Sequence, residues 1–136
     1  MSQEIIDLFE RANAAMNPGE FSDELAAELL APGYRIENTS TALFDKIYYG
    51  VDGVREWVAD IFEGLDANSR FETEEIIADG DDFVVARVRL VGHGANSGAP
   101  VTLRWMAVAW YEADKATRGV GYVHRREALE AVGLEG

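Results

Sequence analysis

The chain has 136 residues, enough for one globular domain but too few for two of ordinary size, so we expect a single domain over residues 1–136. Its 25 acidic and 12 basic residues give a formal net charge of -13, which repels nucleic-acid phosphates and anionic lipid headgroups. No run of about 18 apolar residues is present to cross a bilayer. We therefore expect neither nucleic acid nor a membrane as a partner.

The chain contains no cysteine, which excludes a disulfide framework, a thiolate nucleophile and a cysteine-based zinc site. The first residues interleave charged with apolar side chains and lack the continuous apolar run of a signal peptide. Two histidines alone do not make a metal site. The sequence therefore predicts a cytoplasmic protein without a metal or a cofactor.

Three helices are predicted in the first half of the chain. Apolar residues recur every three or four positions from Glu4 to Met16, and Ser22 is placed to cap a second helix that ends at Pro32-Gly33. A third apolar stripe runs from Val54 to Leu65. Between the second and third helices, residues 34–39 read as a strand and residues 40–47 as a loop or an irregular edge.

The second half of the chain has the character of a β-meander. Four β-type segments are separated by turn-forming residues, and a last amphipathic helix follows them at residues 125–132. The segments are residues 70–78, 83–92, 101–111 and 118–124, with turns at 80–82, 94–100 and 112–117. Such a sheet buries the helices only if it bends around them, and a sheet bent in this way encloses a cavity.

This order of elements resembles the nuclear transport factor 2-like superfamily, and local stretches are similar to its SnoaL-like branch. The stretches are residues 8–11, 30–38, 49–57 and 125–129. The resemblance implies an α+β fold with a cone-shaped, curved, mostly antiparallel sheet wrapped around three N-terminal helices. The superfamily includes ketosteroid isomerases, polyketide cyclases, an epoxide hydrolase and non-enzymatic carriers, so the fold does not give the function.

The resemblance also implies that the known acid–base residues are missing. Asn38 stands where ketosteroid isomerases carry a general-base aspartate, and an amide cannot accept that proton at neutral pH. Ala12 and Ala107 stand where the same enzymes carry their two oxyanion-hole donors. Gly121 stands where the epoxide hydrolase and the SnoaL cyclases carry an acid.

Two polar residues are the candidate catalytic groups. Asn38 could orient a carbonyl, a hydroxyl or a water inside the cavity, or it could cap the backbone at a strand end. His124 lies at the junction of the last strand and the last helix, where it could be a general acid or base at the pocket mouth. Strand alternation favours the alternative that His124 faces outward or caps the helix.

Aromatic residues on the third helix and the sheet could clamp a flat apolar ligand, or they could fill the core. Small residues at Ala12, Ala107, Ala109 and Gly121 would leave space beside them. The candidate ligand-binding residues are Tyr34, Trp57, Phe62, Trp105 and Ala107.

The segment at residues 101–111 is apolar on both faces. Met106, Val108 and Trp110 share the outer face, which we interpret as a homodimer interface, with Arg104 pairing across it. The alternative is that the C-terminal helix covers this face. Arg87 and Arg89 alternate with apolar residues and are expected outside.

The sequence thus supports two hypotheses. The first is a SnoaL-like protein that binds a small hydrophobic carbonyl compound, with cyclase-, isomerase- or hydratase-like chemistry in which Asn38 polarises the carbonyl and His124 shuttles protons. The alternative is a non-catalytic ligand carrier, sensor or dimeric interaction domain. A cavity of roughly 300 Å³ or more would favour ligand binding, and a solid core would favour a scaffold.

Overall fold

The computed structural model describes residues 2–38 and 46–134, and this part of the chain forms four helices and six strands. The helices are α1 (Ser2–Ala15), α2 (Asp23–Leu29), α3 (Gly50–Phe62) and α4 (Arg125–Ala131). The strands are β1 (Leu30–Asn38), β2 (Ile47–Tyr49), β3 (Arg70–Asp79), β4 (Phe83–His93), β5 (Pro100–Glu112) and β6 (Lys115–Tyr122). Residues 39–45, which include most of the predicted loop, lie outside the described residues.

All six strands belong to one sheet with the order β2-β1-β6-β5-β4-β3. Only β1 and β6 run parallel, and the other four pairs of neighbours are antiparallel. Register shifts in β3 mark irregularities of the kind that bend a strand and increase sheet twist. The predicted α+β fold with a curved, mostly antiparallel sheet around three N-terminal helices is confirmed.

The main core lies between the inner face of the sheet and helices α1 to α3. Its centre is an aromatic group in which the Phe71 ring stacks on Trp105 at 5.5 Å and meets Trp57 edge-on at 5.4 Å between ring centroids. The inner strand positions Val84, Ala86 and Val88 are fully buried in the same core. The alternating pattern of the meander therefore marks the side chains that face the helices.

The structure corrects the predicted end of the second helix. Ser22 caps α2 as expected, since its Oγ accepts a hydrogen bond from the Leu25 N–H at 3.2 Å. The chain turns extended already at Leu30, so Pro32 and Gly33 lie inside β1 and do not end the helix. Lys115 Nζ makes this early stop possible by donating to the carbonyls of residues 27 and 28, which the helix leaves unpaired.

Two other elements differ from the expectation. The short strand β2, at residues 47–49, was not predicted, because three residues give too little alternation to recognise. The turn between β5 and β6 has only two residues, Ala113 and Asp114, instead of the predicted six. The Gly80-Asp81-Asp82 hairpin is confirmed, with the Gly80 N–H donating to the Phe83 carbonyl at 3.0 Å.

The outer face of the sheet carries a second, smaller core. Met106 and Val108 are buried there under Ala128 and Leu129 of α4, so the C-terminal helix covers two of the three residues assigned to a homodimer interface, as the alternative expected. Arg104 pairs with Glu74 of the same chain at 3.1 Å, and its pairing across an interface stays a prediction. Arg87 and Arg89 lie outside as predicted, paired with Glu75 and Glu72. The homodimer itself stays a prediction.

Among the described helices, none is long and apolar enough to cross a bilayer. The same part of the chain contains no group of three or more histidine, aspartate or glutamate side chains arranged to hold a metal ion.

Candidate functional site

A cavity of about 60 Å³ lies between the inner face of the sheet and helices α1 and α3. Apolar side chains make most of its wall, and every strand except β2 and β4 contributes to it. The residues that line it are Phe9, Ala12, Asn13, Met16, Leu30, Tyr34, Ile36, Asn38, Trp57, Phe71, Trp105, Ala107, Val108, Ala109, Tyr111, Ala116, Gly119, Val120 and Gly121. The cavity has room for a few water molecules and is well below the expected 300 Å³.

Small residues on two neighbouring strands create this space. Ala107 on β5 pairs with Gly121 on β6, and Ala109 pairs with Gly119 two positions along. All four residues face the helices and none fills the gap. Ala12, the other small residue expected to leave room beside the aromatic residues, lines the cavity as well.

The positions that the resemblance assigns to acid–base groups meet at the same cavity. Ala12, Asn38, Ala107 and Gly121 come from α1, β1, β5 and β6, and each of them lines the wall. The fold thus brings the four positions together, although the chain has no carboxylate at any of them. The cavity wall therefore lacks a carboxylate at each of these four positions.

Asn38 is the polar group that the cavity presents most directly. It lies at the end of β1 opposite Gly121 of β6, and it is only 7% exposed. Its Nδ2 has no hydrogen-bond partner in the described part of the chain. A buried donor left without a partner costs about 1–3 kcal/mol, so the fold retains a donor that a ligand acceptor would satisfy.

Trp57 supplies a second donor of the same kind. Its ring lies in the aromatic core at 5% exposure, and its Nε1 also has no partner among the described residues. By contrast, the other amide of the wall is engaged, since Asn13 Nδ2 donates to Thr73 Oγ1 at 2.9 Å. Two free N–H donors therefore remain in a wall that is otherwise largely apolar.

Two tyrosines complete the polar part of the wall. Burial raises the pKa of Tyr34, and burial together with the neighbouring Tyr34 raises the pKa of Tyr111. Both phenols are thus neutral around pH 7 and can hydrogen-bond but cannot act as bases. Gly119 allows Tyr34 to lie there, because a Cβ at residue 119 would come within 2.8 Å of the Tyr34 hydroxyl.

The predicted site residues divide into those at the cavity and those away from it. Asn38, Tyr34, Trp57, Trp105 and Ala107 all line the cavity. Phe62 does not line it. This ring is half-buried at the end of α3 and packs against the core.

His124 also lies away from the cavity. It is the N-cap residue of α4, its side chain makes no capping hydrogen bond, and the residue is exposed. It is not part of the cavity wall, so the structure does not place an imidazole beside a ligand bound there. The outward-facing alternative describes its position.

Tyr111 and Phe71 line the cavity but were not among the predicted site residues. Tyr111 could have been found, because it continues the alternation of Trp105, Ala107 and Ala109 along β5. Phe71 carries no such signal, since its place depends on how β3 curves over α1 and α3.

Most of the chain matches the model of one protein family. A family model for the SnoaL-like domain matches residues 9–119. No curated protein matches the chain.

Solved structures share the fold at low sequence identity. A protein assigned as a SnoaL-like polyketide cyclase from Jannaschia sp. is 17% identical, with 89% of this chain and 85% of that chain covered and a TM-score of 0.64. A ketosteroid isomerase-like fold protein from Catenulispora acidiphila, in complex with trimethylamine, is 16% identical over 98% and 95%, with a TM-score of 0.65. TerC, co-crystallised with polyporic acid, is 18% identical over 89% and 92%, with a TM-score of 0.68.

Proposed function

Since the chain belongs to the SnoaL-like domain family, we propose that it binds a small, uncharged, largely apolar compound through one acceptor oxygen. The observation that carries this proposal is the pair of buried, unpartnered donors, Asn38 Nδ2 and Trp57 Nε1, in an otherwise largely apolar wall. A carbonyl oxygen has two lone pairs and can accept from both. The compounds bound by the structural neighbours TerC and the Catenulispora protein show that related folds hold small organic molecules.

The absence of charge in the described wall favours an uncharged ligand. No lysine, arginine, histidine, aspartate or glutamate lines the cavity in the described part of the chain. An ion brought into such a wall would lose its hydration without gaining a counter-charge, which is strongly unfavourable. A neutral carbonyl compound loses much less, and its oxygen regains hydrogen bonds at Asn38 and Trp57.

The same wall favours a carrier or sensor over an enzyme that moves protons. General acid–base catalysis at neutral pH needs a group that titrates near 7, and the only titratable groups of the described wall are Tyr34 and Tyr111, whose pKa values burial raises. His124 lies too far out to take that role. We expect binding without proton transfer at the carbon next to the carbonyl. The cytoplasmic location stays a prediction from composition.

A matched pair of ligands tests the proposal. 2-Butanone and 2-methyl-1-butene have the same skeleton, but the second has a methylene in place of the oxygen. We expect the protein to bind the ketone at least tenfold more tightly, since each buried hydrogen bond to the oxygen contributes about 1.4 kcal/mol. Asn38→Ala should reduce this preference, because Trp57 Nε1 is then the remaining donor, whereas Asn13→Ala should keep it in full, because the Asn13 amide is already engaged by Thr73. Equal affinity of the wild type for both compounds would refute the proposed function.

Exchange of the ligand's own protons with D2O distinguishes a carrier from an isomerase-like enzyme. If the cavity only binds, the protons beside the carbonyl of 2-butanone exchange with D2O at the buffer rate, with or without the protein. An enhanced rate that Asn38→Ala lowers would establish the isomerase-like alternative instead.

A further inference from the structure

A second hollow, the vestibule, lies on the outside of the cavity between α2, the start of β1 and the start of α3. Its volume is about 520 Å³. Most of its wall is aliphatic, and the residues that carry the argument are Ala27, Leu30, Ala31, Pro32, Tyr34 and Val51.

The vestibule and the cavity share part of their walls. Leu30 and Tyr34 line both of them, so these two side chains form the partition between the inner and the outer space. Gly50 lines the vestibule without a side chain, and a Cβ there would meet nothing within 4 Å. The two spaces are therefore adjacent, and the side chains of Leu30 and Tyr34 separate them.

The charged groups around the vestibule are already engaged with one another. Arg55 of α3 forms ion pairs with Asp23 of α2 and with Asp52, so one guanidinium joins the two helices across the rim. Lys115 Nζ donates to the Ala27 and Glu28 carbonyls, where the ammonium also meets the negative end of the α2 backbone dipoles. The charged groups of the described rim are thus hydrogen-bonded or ion-paired within the protein, and most of the remaining wall is apolar.

We propose that the vestibule is a second binding compartment for the same ligand, and that the ligand is an elongated ketone or related carbonyl compound with an uncharged aliphatic tail. This rests on the proposed function, because the carbonyl is held at Asn38 in the inner cavity. The inner space of about 60 Å³ holds only the head of such a molecule. The tail passes between Leu30 and Tyr34 and packs against Ala31, Pro32 and Val51.

The series of straight-chain 2-alkanones from 2-butanone to 2-pentadecanone measures this directly, by calorimetric titration or by competition, because the longest tail exceeds the roughly 13 Å that separate Asn38 from Tyr34 along β1. In the wild type, affinity should rise about fourfold with each added methylene, the value for burying one CH2 group. The increase should continue beyond the length that the inner cavity accommodates. No gain beyond 2-butanone would overturn the second compartment and leave the proposed function intact, whereas failure of 2-butanone to bind would reject the proposed function.

Substitutions in the vestibule test whether the aliphatic tail of the ketone binds there. Val51→Trp and Ala31→Leu fill the vestibule, so both should abolish the gain for the longer ketones while leaving 2-butanone affinity within about twofold of the wild type. Val123→Trp makes the same change at an exposed residue outside both compartments and should keep the full chain-length series. Thermal unfolding of each variant verifies folding, and the smaller Ala31→Leu change gives the answer if Val51→Trp does not fold. A chain-length gain that survives both filling variants would place the tail elsewhere and overturn the proposal.

Discussion

Two buried asparagines of this chain are in opposite hydrogen-bonding states. Asn17 is 1% exposed and fully engaged, since its Nδ2 donates to the carbonyls of Ala14 and Phe71 and its Oδ1 accepts from the Phe71 N–H at 2.7 Å. It thereby joins the end of α1 to the edge strand β3. Asn38 is almost as buried, but its Nδ2 has no partner among the described residues.

The same substitution at the two sites should have opposite effects on stability. Asn17→Leu leaves the Phe71 backbone groups unpaired and should lower the free energy of unfolding by about 3 kcal/mol. Asn38→Leu removes a buried donor that has no partner and should raise the free energy of unfolding by about 1 kcal/mol. Urea unfolding measures both changes. Loss of stability in Asn38→Leu comparable with that in Asn17→Leu would show that Asn38 has a structural role.

The buried tyrosines predict how stability depends on pH. Burial raises the pKa of Tyr34 and of Tyr111 above the ordinary value of 10.0, so above pH 10 the unfolded chain loses phenol protons that the folded chain retains. The folded state then binds more protons, and stability falls as the pH rises, by about 1 kcal/mol per tyrosine between pH 10 and about pH 11. Tyr34→Phe should remove its share of this fall. An unchanged alkaline slope in that variant would show that the phenol ionises normally in the folded state.

The β5–β6 hairpin has a strained residue at its tip. Ala113 has a φ of 56°, the only positive φ of a non-glycine residue among those described. A left-handed conformation costs an alanine about 1 kcal/mol, whereas glycine adopts it without that cost. Ala113→Gly should therefore raise the free energy of unfolding by about 0.5–1 kcal/mol, and Ala113→Val should lower it. Thermal unfolding of the two variants measures this, and a destabilised Ala113→Gly would contradict it.

Elements with a long, regular pattern were predictable from the sequence, and elements set by neighbours were not. The α1 and α3 stripes and the alternation in β4 and β5 indicate which side chains pack between the helices and the sheet, and the structure buries those side chains. The early start of β1 at Leu30 depends instead on Lys115, 85 residues away in the chain, holding the end of α2. The two-residue turn at Ala113 also escaped prediction, because alanine is not a residue that marks a left-handed turn.

In the candidate site too, features with a regular sequence pattern were predictable and features set by neighbouring elements were not. The alternation of Trp105, Ala107 and Ala109 along β5 indicated which side chains face inward, and Asn38 was expected inside from the resemblance. For His124, strand alternation favoured an outward-facing or helix-capping position over one at the pocket mouth, and the side chain is exposed. The size of the cavity could not be predicted from the sequence, since it depends on how closely the aromatic rings of three elements approach one another.

At the scale of the whole molecule, the predicted homodimer has a narrower surface available than the sequence indicated. Helix α4 covers Met106 and Val108, and Arg118 lies over the Trp110 ring at 4.7 Å. The large apolar side chains that remain exposed on the outer face include Ile47 and Tyr49 of the edge strand β2. If the outer face forms the dimer, sedimentation equilibrium should give twice the monomer mass, and Tyr49→Glu should shift the equilibrium toward monomer. A monomeric wild type at the same concentration would reject the predicted homodimer.

The proposed function depends on two buried donors of one largely apolar cavity, Asn38 Nδ2 and Trp57 Nε1, binding the same acceptor oxygen. The most direct test is a ¹H–¹⁵N correlation spectrum of the protein titrated with 2-butanone. We expect the Trp57 indole and the Asn38 side-chain amide signals to move, while the Trp110 indole on the outer face stays in place and serves as the internal control. If the Trp57 and Asn38 signals stay fixed, or move no more than the Trp110 signal, the cavity is not the binding site.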